Sequence, residues 1–322
     1  MPRIPLVLLL IVAACSPAQE APPSTTVPAS STSAPAATEP PPGTATTAPT
    51  TTLAPITTPA PSTTTIPPTT TTTLEAFNWA PLPLIETGFG SLGWWDGTAW
   101  VAPETVDDLP VVGGEDYQLA VFNLEGTVKG GPPTRVCLPM EIPGVELEEV
   151  EPLGAWPGPS GVAISAPWEL KPHLIEEFSD DGTYAAFAAD LLASRGMVVA
   201  EPKIKQLIRL DVEGDGINEI LVVAEDVPVG LFPDGDDYSI VFLRKVVQGE
   251  VQTAVLGESL VFDPDVDFLV SFSVGAVADL SGDGKMEIIV NGAYFEGISW
   301  ELWEYVNDDL GPVLQLSIGC GS

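Results

Sequence analysis

The sequence is poor in cysteine, histidine and positive charge. Its 322 residues include 3 Cys, 1 His and 11 Lys+Arg against 45 Asp+Glu, which gives a net charge of −34 at pH 7. So few cysteines exclude a disulfide-dense scaffold, and a single histidine excludes a zinc site built on several His ligands. The negative charge repels phosphate backbones and anionic lipid head groups, so we expect no nucleic-acid partner.

Long hydrophobic runs are also missing, and a helix needs about 20 apolar residues to cross a membrane. The apolar run 6–12 follows Arg3 and precedes small residues, which is typical of a secretory signal peptide. The run ends in Val-Ala-Ala before Cys15, a sequence that resembles the lipobox of bacterial lipoproteins, where the new N-terminal cysteine is lipidated. We predict a signal peptide over residues 1–14 and a lipid on Cys15, with an ordinary signal peptide as the alternative.

Residues 16–73 are predicted to be a disordered linker. Ser, Thr, Pro or Ala occupies 50 of these 58 positions, and such a composition buries too little apolar surface to fold. The threonine clusters 63–65 and 69–73 suit either O-linked sugars or a bare spacer. The predicted protein is therefore extracytoplasmic, and the lipid on Cys15 is its expected membrane contact.

The folded part is predicted to span residues 74–322, with 43 Asp+Glu against 10 Lys+Arg. If Cys15 is lipidated, Cys137 and Cys320 remain, and an even number of thiols usually pairs in an oxidising compartment. A Cys137–Cys320 disulfide would stabilise the fold by about 2–5 kcal/mol. Two buried, unpaired thiols are the alternative.

Short apolar or alternating runs divided by Gly, Asp and Pro predict an all-β fold. The expected strands include 100–101, 117–122, 161–164, 205–210, 220–223, 238–243, 251–256, 268–274, 288–290 and 300–305. One helix is expected over 181–196, because Tyr184, Phe187, Ala188, Leu191 and Leu192 recur at helical spacing. Asp181 or Thr183 is expected to cap its start, and Gly196 to end it.

Two acidic loops repeat the same spacing of oxygen donors. The loops are residues 211–219 and 279–287, and each has donors at positions 1, 3, 5 and 9, a glycine at position 6 and a backbone carbonyl at position 7. The predicted metal ligands are Asp211, Glu213, Asp215, Ile217 and Glu219 in the first loop, and Asp279, Ser281, Asp283, Lys285 and Glu287 in the second, with Ile217 and Lys285 contributing backbone oxygens.

Calcium requires this kind of loop, because it binds six to eight oxygens at about 2.3–2.6 Å. An EF-hand is excluded, since its position 12 is a bidentate Glu, whereas Val222 and Val290 stand there in these loops. We therefore expect strand–loop–strand calcium sites, with a structural role for the ion. The alternative is a pair of hairpin turns with solvated acids.

The second loop and its flanks resemble the FG-GAP repeat, the calcium-loop blade of integrin alpha-chain propellers and of many bacterial secreted proteins. Phe272-Ser-Val-Gly-Ala-Val-Ala-Asp279 enters the loop as that family does, and Gly292-Ala-Tyr294 stands where the family has Gly-Ala-Pro, with Tyr294 in place of proline. The resemblance implies a calcium-stabilised β-propeller or a propeller-like multi-sheet assembly. The first loop lacks the Gly-Ala-Pro signature.

Other acidic stretches, at 146–149, 234–237 and 263–267, lack the glycine at the turn position and are expected to be solvated loops. The single histidine, His173, has no activated nucleophile nearby, so we assign it no catalytic role. The tryptophans in 93–100 and 300–305 suit either ligand stacking or core packing, and core packing is the expectation for most of them.

These features together predict an envelope-anchored, calcium-binding β protein that acts as a binding or adhesion module without catalysis. Its expected ligand is an unidentified extracellular protein or glycan. The alternative is an extracellular, glycosidase-like hydrolase that uses two carboxylates in a cleft, whose separation only a structure reveals.

Overall fold

The structure is a computed structural model that describes residues 81–318 except 89, 123, 137–140, 149–159, 180–181, 234, 266, 296 and 307–308. The predicted signal peptide, Cys15, the linker, Cys137 and Cys320 lie outside the described residues. The lipid anchor and the disulfide therefore stay predictions. In the part that is described, no helix is both long and apolar enough to cross a membrane.

The described part is mostly β and forms three antiparallel sheets with one α-helix, which confirms the all-β, multi-sheet expectation. The first sheet has the strand order β3-β2-β1-β7-β4-β5-β6. Its strands are β1 Leu82–Glu86, β2 Ser91–Trp95, β3 Trp100–Val101, β4 Asp116–Ala120, β5 Thr127–Val136, β6 Ile142–Leu147 and β7 Val162–Ile164, and a 3-10 helix, Val106–Asp108, precedes β4.

The other two sheets are up-and-down meanders, in which each strand pairs with the next along the chain. The second sheet contains β8 Ile175–Glu177, β9 Ile204–Leu210, β10 Glu219–Asp226, β11 Tyr238–Val247 and β12 Glu250–Leu260. The third contains β13 Ser271–Ala278, β14 Glu287–Tyr294, β15 Gly297–Val306 and β16 Asp309–Ile318. The acidic loops connect β9 to β10 and β13 to β14, so they occupy the same place in the two meanders.

The core consists of several buried clusters, and the third sheet contributes to two of them. Leu84 and Ile164 of the first sheet pack in one buried cluster with Trp300 of the third. A second buried cluster joins Leu221 of the second sheet to Ile288 of the third. Both acidic loops therefore start and end on strands that are held by buried apolar side chains.

Helix α1, Thr183–Ser194, confirms the helical prediction and packs Ala188 and Leu192 onto the second sheet. Gly196 ends it in the left-handed conformation, as expected, with φ 96°. The N-cap is Gly182, which has no side chain, and Thr183 is the first residue of the helix, so Thr183 is not the N-cap. Asp181, the other expected cap, lies outside the described residues.

All ten stretches predicted as strands overlap an observed strand. In the stretch 268–274 the first three residues are not in a strand, because β13 begins only at Ser271. Before that residue, the Val270 N–H donates to the side-chain hydroxyl of Ser259 at 3.0 Å instead of to a backbone carbonyl. The connection between β12 and β13 therefore extends to residue 270.

Candidate metal centre

Each acidic loop is closed by the strand pair that carries it. The last strand residue before the first loop, Leu210, pairs with Glu219, and the corresponding residue before the second loop, Ala278, pairs with Glu287. The structure thus places the glutamate at position 9 directly across from the residue before position 1 in both loops. The ten predicted ligand positions therefore lie in two loops of the same length, and both loops join their strands at equivalent positions.

The aspartate at position 1 is buried and binds the backbone of its own loop. Asp211 accepts hydrogen bonds from the N–H groups of Asp215 at 3.1 Å and Gly216 at 3.0 Å. Asp279 accepts from Gly282 at 2.7 Å and Gly284 at 3.1 Å. The bond from position 6 to position 1 is common to both loops, so the two chains turn in the same way.

The aspartate at position 5 is exposed, and in each loop it accepts a hydrogen bond from the N–H at position 7. Asp215 accepts from Ile217 at 2.7 Å, and Asp283 accepts from Lys285 at 2.8 Å. These carboxylates stand at the rim of the loops. A substitution there alters the charge of the loop without opening a cavity in the core.

The glutamate at position 9 is almost fully buried in both loops. Glu219 accepts a hydrogen bond from the Val212 N–H at 3.0 Å, and Glu287 accepts one from the Leu280 N–H at 2.6 Å. Burial, together with repulsion from the other acids of each loop, raises the pKa of Glu219 to about 7 and the pKa of Glu287 to about 8. Each loop therefore concentrates negative charge around a buried carboxyl group.

Position 3 differs between the loops. Glu213 is half-buried, whereas Ser281 is buried with 8% exposure. The Ser281 hydroxyl lies beside the Glu287 carboxyl, but its oxygen completes no hydrogen bond of standard geometry in the described part of the chain. A buried oxygen in this position suits a cation that would accept its lone pair.

One segment of the chain, residues 168–174, crosses both loops, and we call it the crossing segment. Its Leu174 carbonyl accepts a hydrogen bond from the Asp211 N–H at 3.2 Å, and its Leu170 carbonyl accepts one from the Asp279 N–H at 2.7 Å. The indole N–H of Trp168 donates to the Asp279 carbonyl at 2.8 Å. The first residue of each loop is therefore fixed by the same segment.

The side chains of the crossing segment pack on the glycine at position 4 of each loop. A Cβ on Gly282 would approach the Trp168 ring to 2.9 Å, and a Cβ on Gly214 would overlap the ring of His173. Both glycines also have positive φ, 70° at Gly214 and 79° at Gly282. Glycine is required at position 4 for the close approach and for the backbone conformation.

The two loops also contact each other directly, because the Met286 N–H of the second loop donates to the Val212 carbonyl of the first at 2.8 Å. Sequence reasoning missed this contact and the roles of Trp168 and His173. The glycine at position 4 of both loops was the feature of the sequence that could have indicated that another side chain packs closely there. Nothing in the sequence indicated which residues would fill that space.

The residues present fit calcium in their chemistry. The carboxyl oxygens of Asp211 and Asp279 each accept one of the hydrogen bonds above, and a carboxylate oxygen has a second lone pair for a cation. Within the described residues, no Lys, Arg or His forms an ion pair with these aspartates or with Glu219 and Glu287. As arranged in the described part, no three His, Cys, Asp or Glu side chains form a ready metal cluster.

A cavity of about 350 Å³ lies beside the crossing segment and is lined by Phe122, Glu125, Lys171, Ile175 and Val277. Its one carboxylate, that of Glu125, pairs with the ammonium of Lys171 at 3.4 Å. A glycosidase needs two carboxyl groups on either side of the substrate. This cavity does not supply that pair.

The tryptophan-rich stretches mainly pack in the core. Trp300 is 1% exposed and donates a hydrogen bond to the Ser160 hydroxyl at 3.0 Å, and Tyr305 is also buried. Trp95 and Trp100 are half-buried and lie with their ring centres 5.2 Å apart. Core packing, the expectation for most of these rings, is what the structure shows.

The other acidic stretches agree only in part with the expectation of solvated loops. Asp263 and Asp265 are exposed, and Asp267 accepts hydrogen bonds from two backbone N–H groups of its own loop. Glu146 is exposed but belongs to strand β6, and Asp237 is buried. Alternation along β6 explains the exposure of Glu146 within a strand.

Comparison with protein-family models finds no match, and neither the curated proteins nor the solved structures contain a match. Any interpretation of the loops therefore rests on their own residues and geometry.

Proposed function

We propose that loops 211–219 and 279–287 each bind one calcium ion, and that the ions hold the two meanders and the crossing segment together. The observation that carries this proposal is the hydrogen-bond pattern shared by the two acidic loops, in which equivalent backbone N–H groups donate to the aspartate at position 1 and to the glutamate at position 9. Asp211, Glu213, Asp215 and Glu219 would hold one ion. Asp279, Ser281, Asp283 and Glu287 would hold the other, with Ile217 and Lys285 adding carbonyl oxygens.

The proposed role of calcium is structural. When bound, the ion supplies positive charge that offsets the mutual repulsion of the loop carboxylates. The protein supplies the rest of the stability, since the crossing segment fixes the first residue of each loop and apolar clusters fix the strands. Both position 9 glutamates are 2% exposed, so they are poorly placed to contact a substrate.

We further propose that the chain is a non-enzymatic binding module on the outer side of a cell membrane, anchored by a lipid on Cys15. The signal-like N-terminus and the Thr/Pro-rich linker support this location. The FG-GAP resemblance supports a repeat architecture in which calcium loops stabilise neighbouring sheets.

Calorimetric titration of the full chain with calcium, after dialysis against a chelator, tests the two sites. We expect two binding events, and we expect Asp215→Asn and Asp283→Asn each to weaken one of them at least tenfold. Both aspartates are exposed, so neither substitution disturbs the core. Glu104→Gln, which removes an exposed acid outside the loops, is the matched control. Absence of calcium binding, or equal loss in the control, would refute the proposal.

A further inference from the structure

The end of the meanders opposite the acidic loops carries exposed aromatic rings. Successive antiparallel strands reverse direction, so the connections 227–237, 261–270 and 295–296 all lie at that end. The ring centres of Phe232 and Phe295 are 4.5 Å apart, and those of Phe268 and Tyr294 are 5.3 Å apart. These contacts join connections from both meanders. We call Phe232, Phe268, Tyr294 and Phe295 the aromatic patch.

The aromatic patch is unusually open to solvent for such large apolar side chains. Phe232 is 60% exposed, Phe268 61% and Phe295 56%. Phe262, in the same connection as Phe268, is 57% exposed. Singly exposed apolar residues need no explanation, but rings from separate connections that contact one another and remain exposed are characteristic of an interaction surface. Aromatic residues are also enriched in the cores of protein interfaces.

The surroundings of the aromatic patch are strongly acidic. The described residues of 227–237, 261–270 and 294–297 include five Asp and no Lys or Arg. Asp236, Asp263 and Asp265 are exposed, and they belong to the same connections as Phe232 and Phe268. The nearby cations do not offset this charge, because Lys203 pairs with Asp226 at 2.6 Å and Lys205 with Glu225 at 2.7 Å.

We propose that the aromatic patch and its acidic rim dock a basic segment of a partner protein. Lysine or arginine side chains of that segment would lie on the ring faces and pair with the rim carboxylates. The inference rests on the proposed function in one respect, since it names the surface and the partner of the binding module. It does not require that the acidic loops bind calcium.

Charge favours a basic partner over two other possible occupants of the aromatic patch. The linker, residues 16–73, is rich in proline but contains no Lys or Arg, so it cannot neutralise the rim. A second copy of the chain carries a net charge of −34, and two such copies repel each other. A basic partner removes the repulsion among the rim carboxylates and covers the rings at the same time.

The test is fluorescence anisotropy of a labelled peptide of five Arg-Gly repeats titrated with the full chain in 150 mM salt. Because the whole chain is acidic, the decisive comparison is between variants. We expect Phe232→Ser/Phe295→Ser to weaken binding at least fivefold. Val198→Ser/Val251→Ser removes two exposed apolar side chains outside the patch and should change binding less than twofold.

A second pair of variants tests the rim. Asp236→Asn/Asp265→Asn should weaken peptide binding at least threefold, whereas Glu104→Gln/Asp107→Asn removes the same charge from exposed positions elsewhere and should have a smaller effect. If the double phenylalanine variant does not fold, Phe268→Ser replaces it, with an expected threefold loss. Circular dichroism melting establishes the folded state of every variant.

Three results overturn the docking proposal. The first is that the unmodified chain does not bind the basic peptide. The second is that patch and control variants lose equal affinity for it. The third is that the chain binds either a peptide of linker residues 36–60 or a neutral β-glucan hexasaccharide more tightly than the basic peptide. Calcium titration of the same variants distinguishes the two proposals. A chain that binds calcium but not the peptide refutes the docking surface alone, and a chain that binds the peptide but not calcium refutes the calcium sites alone.

Discussion

His173 donates a hydrogen bond from Nε2 to the carbonyl oxygen of Gly284 at 2.7 Å, across 111 positions of the chain. A carbonyl only accepts, so this contact requires the proton on Nε2. The same imidazole lies against Gly214 of the other acidic loop. One side chain therefore contacts both loops, and its removal should affect both.

Substitution of His173 by alanine should lower the free energy of unfolding by about 1–2 kcal/mol, because the Gly284 carbonyl loses its donor and the first loop loses a packing contact. Urea unfolding in excess chelator measures this loss without a contribution from calcium. His173→Gln, which retains a donor, should recover part of it. A change below about 0.5 kcal/mol for the alanine variant would show that the contact does not stabilise the loops.

Gly214→Ala should lower the free energy of unfolding more than Gly216→Ala does, although both glycines have positive φ. Alanine in the left-handed conformation costs about 1 kcal/mol at either position. At Gly214 the new methyl group also overlaps His173, whereas nothing lies within 4 Å at Gly216. We expect Gly214→Ala to destabilise the protein by about 1–3 kcal/mol more than Gly216→Ala.

A double-mutant cycle checks the cause of that difference. The extra cost of Gly214→Ala should largely disappear in the His173→Ala background, because the overlapping ring is gone. Additive effects of the two substitutions would contradict the structural explanation.

The stability of the calcium-free protein should fall as the pH rises from about 5 to 8. Burial raises the pKa of Glu287 to about 8 and the pKa of Glu219 to about 7, from 4.5. The folded state therefore binds more protons than the unfolded state in this range, so stability present at low pH is lost as the pH approaches the folded-state pKa values. The free energy of unfolding should fall by on the order of a few kcal/mol across this pH range.

Glu287→Gln is the control for this pH dependence, since glutamine retains an acceptor for the Leu280 N–H but does not titrate. Unfolding in chelator at a series of pH values should show a smaller fall for this variant than for the unmodified chain. The general repulsion of an acidic protein is common to both chains and cancels in the comparison. Parallel pH profiles would contradict the assignment to Glu287.

Much of the fold was predictable because the relevant signals are local. Alternation and β-branched residues identified strands such as β10 and β11, and helical spacing identified α1. Strand β5 was harder, since it contains Gly130, Gly131, Pro132 and Pro133, which are typical of turns. A bulge between Gly130 and Pro133 explains how the strand accommodates them.

The acidic loops were also predictable in position, because nine consecutive residues carry their pattern. Their surroundings were not, since Trp168 and Gly282 are 114 positions apart and contact each other only in the folded chain. The aromatic patch escaped prediction for the same reason. Phe232 and Phe295 are isolated rings in separate connections, and only the pairing of the strands brings them together.

The central claim is that calcium stabilises this fold through both acidic loops, and a thermal melt of the full chain in excess chelator and then in millimolar calcium tests it most directly. The account predicts a higher midpoint in calcium, because a ligand that binds only the folded state stabilises it. Asp215→Asn and Asp283→Asn should each reduce that rise, and the Glu104→Gln control should not. An unchanged midpoint in a chain shown to be metal-free at the start would contradict the account.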